Sequence, residues 1–280
     1  MYEKLARGHA TACIDNLQDY GALVKWLDGP RLKKARDAFE RSSYAKKPGR
    51  VLKRLTPHLR PCFRSPSVSH WSREFKVVTA MSLASTAENH VFNLTDDTRP
   101  LYSERAAVLT ELWLVQEYEQ IEAGVMICAS ISHHAIARLV QREAVRPQDL
   151  SMEINLILGS CSVFAEKVLS YKLVDRTGMQ SFMLPFRDGA LVAVFMDMDP
   201  ARVHKGQKRR RILSVRTWLD GGKLSDLDLK RMGEVNNLTQ VMVLDYEIGK
   251  AGFARWVAGN MRLWSFADST PGDQVENGVR

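Results

Sequence analysis

Leu17, Tyr20, Val24 and Leu27 recur at helical spacing, and the Gly29–Pro30 pair interrupts them. The pattern predicts helix over residues 10–45, with a second helix starting after Pro30 in RLKKARDAFERSSYA. The next stretch, KKPGRVLKRLTPHLRPCFR, carries Pro48, Pro57 and Pro61, which predict an irregular, exposed connection. From residue 73 the period changes. REFKVVTAMSLAS and NHVFNLTDD are short, apolar and bounded by polar residues, as in a β-hairpin. VLTELWLVQEYEQIEAGVMICASIS predicts two more strands turned at Glu122–Gly124, although its Leu, Glu and Gln content leaves a helix over 109–120 open.

A helix follows from Ala135 to Arg142 with Ser132 as its N-cap. A second runs from Pro147 to Leu158 and ends at Gly159. VLSYKLVD, QSFMLPFR, ALVAVFMDMD and RRILSVRTWL then read as strands, with a hairpin turn at Arg187–Gly189. LSDLDLKRMGEVNN and GFARWVAGNMRLW read as helical, and the closing STPGDQVENGVR as disordered. The expected fold is therefore α+β: an antiparallel sheet with a short helix pair, preceded by a helical, basic N-terminal region and a β-hairpin segment. The expected organisation is a basic helical region over 1–66, a core over 67–222, a helical segment over 223–268 and a tail over 269–280. No G-x-G-x-x-G or G-x-x-x-x-G-K-[ST] motif anchors a dinucleotide or P-loop reading.

Composition adds a partner class. The 280 residues carry a formal charge of +8, which favours polyanionic partners, nucleic acid first and acidic proteins second. The charge is clustered: from Arg31 to Arg64 the basic residues greatly outnumber Asp37 and Glu40. Lys46, Lys47, Lys53 and Arg54 in this segment, with Arg209, Arg210 and Arg216 later in the chain, are the candidate phosphate-backbone contacts. A solvated linker is the competing account of the segment. No apolar run reaches the roughly 18 to 20 residues of a membrane span, and the charged N-terminus does not read as a secretory signal. The four cysteines, Cys13, Cys62, Cys128 and Cys161, form no C-x-x-C pair, so neither a zinc knuckle nor a disulfide framework is expected and the compartment reads as cytoplasmic.

The candidate chemistry lies in ISHHAIARLVQRE, residues 131–143. On a helix, His134, Arg138 and Arg142 stack on one face, while Ile136, Leu139 and Val140 fall opposite. A neutral imidazole can take the proton of a ribose 2′-hydroxyl, and its protonated form can supply one to the leaving 5′-oxygen. Arginine forks can hold the phosphate and stabilise its transition-state charge, so cleavage needs neither metal nor cofactor. The same spacing also suits an ordinary solvated helix face. Which of His133 and His134 is functional stays open, with capping or packing the simpler role for His133. His204 sits in the basic loop VHKGQKRRR, which either grips a nucleic-acid backbone or is simply solvated, with the solvated loop the simpler account; the Asp197–Asp199 pair and the Ser160–Cys161–Ser162 run lack the context that metal or hydrolase chemistry requires.

SHHAIARLVQREAVRPQDL resembles the H-A-x-x-R-x-x-x-R helix of small bacterial toxin-like domains related to the barnase, colicin and toxin ribonuclease fold. The likeness spans residues 130–220. It implies His134 as acid/base, with Arg138 and Arg142 as catalytic partners. It also implies Ser214 or Thr217 beside them at the end of a late strand, and Arg216 as a further phosphate ligand. The long N-terminal half, the doubled histidine and the basic insertion at 202–211 depart from that pattern. The leading expectation is a metal-independent RNA-cleaving or RNA-binding protein of bacterial or mobile-element origin, with RNA preferred over DNA and an inhibitor or partner protein implied by the toxin likeness. The alternatives are a non-catalytic nucleic-acid-binding or regulatory protein, and a protein-binding accessory subunit.

Overall fold

The structure is a computed structural model that describes residues 1–42, 48–86, 105–118, 120–170, 181–198 and 210–233. Its elements in chain order are α1 (Glu3–Asp15), β1 (Gln18–Asp19), α2 (Tyr20–Trp26), α3 (Pro30–Glu40), α4 (Pro48–Leu59), β2 (Arg64–Trp71), β3 (Phe75–Ser85), β4 (Ala106–Glu117), β5 (Gln120–Ser132), α5 (His133–Gln141), α6 (Leu150–Ser170), β6 (Ser181–Phe186), β7 (Gly189–Met198) and β8 (Arg210–Asp220). A last helix, α7, occupies 226–233. The fold is α+β. The chain divides into two compact units. The histidine unit comprises Met1–Cys13, Ala129–Met196 and Ile212–Arg280, and the hairpin unit comprises Ile14–Cys128 and Asp197–Arg211.

In the hairpin unit the strand order is β1-β3-β4-β5, and β2 also pairs with β3. β3 alternates buried and half-buried residues along its length, as a strand with one face in a core should. The helices supply the other side of that core. Leu23, Leu32, Phe39, Val51, Leu55, Leu59 and Phe63 are all essentially without solvent exposure. Trp26 meets Phe63 edge-on, with ring centroids 5.5 Å apart.

The histidine unit has the order β5-β8-β7-β6, with β6 and β7 joined by the expected two-residue turn, in which Arg187 takes a φ of 58°. The sheet is mixed rather than purely antiparallel, which corrects the sequence reading. β1 runs parallel to β3, and β5 runs parallel to β8 with Ser130 opposite Ser214. Parallel neighbours require a long crossover. The chain between β5 and β8 supplies one, and local alternation carries no record of that pairing.

Three element boundaries also differ from the sequence reading. Pro48 and Pro57 do not mark an irregular connection, because Pro48 opens α4 and Pro57 sits in its last turn. A helix-interior proline costs about 3 kcal/mol. Full burial of Val51, Leu55 and Leu59 contributes about 1.5 to 3 kcal/mol per side chain and offsets it. Gly124 does not turn the chain. It lies inside β5, where an added Cβ would fall 2.1 Å from the Trp113 indole, so the glycine makes room for that ring. The reversal lies at Tyr118, whose φ is 52°. Gly159 does not end α6, which runs 21 residues. Glycine costs about 1 kcal/mol there relative to alanine. Ile157, Leu158, Cys161, Phe164 and Ala165 are all buried around it, so packing prevails. Val168–Ser170, expected as strand, are accordingly helical. The expected elements NHVFNLTDD and GFARWVAGNMRLW, the basic stretch 202–209 and the tail lie outside the described residues. No helix among the described residues is long and apolar enough to cross a membrane.

Candidate nucleic-acid interface

Ser132 forms the start of α5. Its hydroxyl accepts the Ala135 N–H at 3.0 Å and donates to the Arg216 carbonyl at 3.0 Å, so the cap also ties the helix to β8. Ala135, Ile136, Leu139 and Val140 are fully buried and set the rotation of the helix. That rotation leaves His134 exposed and Arg138 half-buried. Arg138 donates through Nη1 to Gln141 Oε1 at 2.9 Å, which already engages part of its fork. Arg142 is exposed but sits at the C-cap with φ −91° and ψ 5°, off the regular helix. The stack of His134, Arg138 and Arg142 is thus regular over its first turn and relaxes at its third member. Glu143 follows with φ 62°, and the Met1 ammonium lies 3.5 Å from its carboxylate.

His133 is half-buried, with Nε2 3.0 Å from Thr11 Oγ1 on α1. The two histidines therefore differ in exposure: His133 is half-buried against α1, and His134 is exposed. Ser214 is buried, and its hydroxyl accepts the Ser130 hydroxyl at 2.8 Å. Successive strand residues face opposite sides of a sheet, so Ser214 shares a face of β8 with Arg216, whereas Thr217 lies on the other. Ser214 and Thr217 are not brought together. Arg216 and Thr217 are each half-buried. The Ser160–Cys161–Ser162 run is buried inside α6, and burial pushes the Cys161 thiol up to about 12, so it offers no thiolate near neutral pH. Among the described residues no group of three or more His, Cys, Asp or Glu is placed to hold a metal ion.

The hairpin unit carries a basic helix. On α4 the apolar positions Val51, Leu55 and Leu59 face inward, and Arg50, Lys53 and Arg54 are exposed one helical turn apart, with Arg60 exposed just beyond. PGRVLKRLTPHL holds no carboxylate at all. α3 adds exposed Arg31, Lys33 and Lys34, against exposed Asp37 and Glu40. Arg54 Nη1 reaches the Arg41 carbonyl at 3.4 Å and the Ser42 hydroxyl at 3.5 Å, which places it at the C-terminal end of α3. Of the other expected backbone contacts, Lys46, Lys47 and Arg209 lie outside the described residues, and Arg210 begins β8. Arg50 and Arg60 were not singled out in the sequence reading. Once Pro48 is taken as the first residue of a helix rather than as a breaker, Arg50 falls in the same register as Lys53 and Arg54.

No family model, no curated protein and no solved structure matches this chain.

Proposed function

We propose that this chain is a nucleic-acid-binding protein that takes RNA in preference to DNA. The observation that carries the reading is the exposed face of α4, where Arg50, Lys53 and Arg54 line up on a helix without a single carboxylate. Such a row neutralises successive phosphates and releases their counterions, so binding depends steeply on salt. RNA is preferred because the His134–Arg138 pair suits chemistry that needs a ribose 2′-hydroxyl. The proposed setting is the cytoplasm, a reading supported by four cysteines that form no disulfide. A bacterial or mobile-element role with a cognate partner protein rests on the toxin likeness of residues 130–220 alone.

A second reading is metal-independent RNA cleavage at α5. It is favoured by the exposure of His134 one turn from Arg138. Here His134 serves as general acid/base and the arginines as phosphate ligands. Ser214 has no part in this version, since its hydroxyl is engaged with Ser130 in the core. A fluorescence-anisotropy titration with labelled RNA at several salt concentrations tests the first reading. Binding that weakens with salt, with a shallower slope for the Arg50→Gln/Lys53→Gln variant, supports it. Absence of binding at low salt overturns it.

A further inference from the structure

The outer side of α4 carries cations and almost nothing else. Between residues 49 and 61 the exposed positions are Arg50, Lys53, Arg54 and Arg60, with only glycine and proline beside them. The Arg60 N–H donates to the Thr56 carbonyl at 2.9 Å, so the helical course continues to Arg60 and keeps it on the side of Lys53, two turns earlier. At 1.5 Å per residue the row from Arg50 to Arg60 is roughly 15 Å long. Full burial of Val51, Leu55 and Leu59 on the opposite side fixes its rotation.

The same helix is poor in groups that read or stack on a base. PGRVLKRLTPHL holds no Asn, Gln or Ser and no Phe, Tyr or Trp. Asn and Gln read adenine through paired hydrogen bonds, and aromatic rings hold unpaired bases by stacking. The Thr56 hydroxyl is engaged within the helix, donating to the Leu52 carbonyl at 2.7 Å, and His58 is half-buried. Arginine reads guanine through a fork that its neighbours hold in one orientation. Among the described residues nothing holds the side chain of Arg50, Lys53 or Arg60. Arg54 is held, but by the Arg41 carbonyl and the Ser42 hydroxyl at the end of α3. The row therefore meets a ligand as charges on a fixed helix rather than as a set of base readers.

We infer that α4 takes double-stranded RNA by its phosphates, without choice of sequence. This rests on the proposed nucleic-acid binding and narrows it to paired strands. A duplex carries one charge per about 1.7 Å of its length, against about 3.4 Å for one of its strands. A row of cations with no stacking ring gains from that density and gains nothing from an unpaired base. In an A-form helix the narrow major groove draws the two phosphate rows together, and such helices are recognised by shape and backbone rather than by sequence.

The test titrates the full chain, over a range of salt, with two labelled RNA duplexes of unrelated sequence and with a labelled uridine strand of equal length. The duplexes should bind alike and more tightly than the single strand. Their affinity should also fall more steeply with salt, since each neutralised phosphate adds about 0.9 to the slope on a duplex and about 0.7 on a single strand. Arg50→Gln/Lys53→Gln should flatten the duplex slope by about 1.8. Arg50→Lys/Lys53→Arg keeps both charges and should bind both duplexes like the parent, because no fork geometry is required. All three proteins should melt at the same temperature, since the replaced side chains are exposed. Single-strand binding as tight as duplex binding, a clear preference for one duplex, or an unchanged slope in the neutralised variant overturns the inference and leaves nucleic-acid binding standing. Weak duplex binding by the charge-keeping variant does the same, by showing that fork geometry matters. Failure of the parent to bind any of the three probes overturns both readings. Displacement of the duplex by poly-glutamate at equal charge assigns α4 to an acidic protein instead.

Discussion

Ser130 donates its hydroxyl hydrogen to Ser214 across the parallel pairing of β5 and β8, at 2.8 Å and in the buried core. The bond joins residues 84 apart in the chain. It gives Ser214 a structural role and sets the first prediction. Ser214→Ala leaves the Ser130 hydroxyl buried without its acceptor, which should cost about 1 to 3 kcal/mol of stability. Adding Ser130→Ala should recover much of that loss, because both partners are then apolar. Chemical denaturation of the two variants measures it, and RNA binding should be the same in both. A loss of RNA binding or cleavage in Ser214→Ala at unchanged stability would return the residue to the site.

The cap of α5 is the second test. Ser132→Ala removes both the acceptor for the Ala135 N–H and the donor to the Arg216 carbonyl. A lost N-cap typically costs about 1 kcal/mol, and the interstrand bond adds to it, so the expected destabilisation is about 1 to 3 kcal/mol. Ser132→Asp keeps an acceptor for the cap but cannot donate, so it should fall between the alanine variant and the parent. A melting temperature unchanged in Ser132→Ala would remove this account.

Cleavage is tested at His134. If α5 cleaves RNA, purified protein should leave 2′,3′-cyclic phosphate ends in the presence of EDTA. His134→Ala should slow the reaction at least about a hundredfold, the lower end for lost acid/base catalysis. His134 is exposed, so the fold should be unaffected. Arg138→Lys keeps the charge but loses the planar fork, and should reduce activity with little change in melting temperature. Equal cleavage by His134→Ala, or none by the parent, leaves RNA binding as the sole activity.

Alkali gives a prediction with a defined sign. Burial raises Cys161 from 9.0 to about 12, and raises Tyr20 from 10.0 to about 12 with a contribution from nearby Cys128. Both groups are neutral in the folded chain where the unfolded chain would already ionise. Their contribution to stability is complete below pH 9 and is lost as pH climbs toward 12. The melting temperature should therefore fall across that window. The fall should be shallower in Cys161→Ala, whatever its starting stability. In the folded protein at pH 8, Cys161 should also resist thiol-labelling reagents until the chain unfolds.

Gly124 supplies a packing test. An alanine there would place its Cβ 2.1 Å from the Trp113 ring. Relief requires the indole or the strand to move, and overpacking of this kind costs about 1 to 3 kcal/mol. Gly124→Ala/Trp113→Leu, which removes the opposing ring, should be less destabilised than the sum of its single variants.

The amphipathic periods were enough to place α5, its Ser132 cap, its buried Ile136–Leu139–Val140 side, the Arg187 turn and the strands around it, because period, cap and turn chemistry are properties of neighbouring residues. The charge of the segment from Arg31 to Arg64 was equally plain. Its form was not: Pro48 and Pro57 point locally to a broken chain, and the burial of Val51, Leu55 and Leu59 against other elements makes it a helix. Gly124 and Gly159 misled for the same reason, since a glycine looks alike whether it turns a chain or makes room for a ring. The parallel pairing of β5 with β8 and the Thr11 contact to His133, 122 residues away, were settled by tertiary structure alone. Such contacts join residues with no local relation, and only the buried area and hydrogen bonds of the whole fold select them.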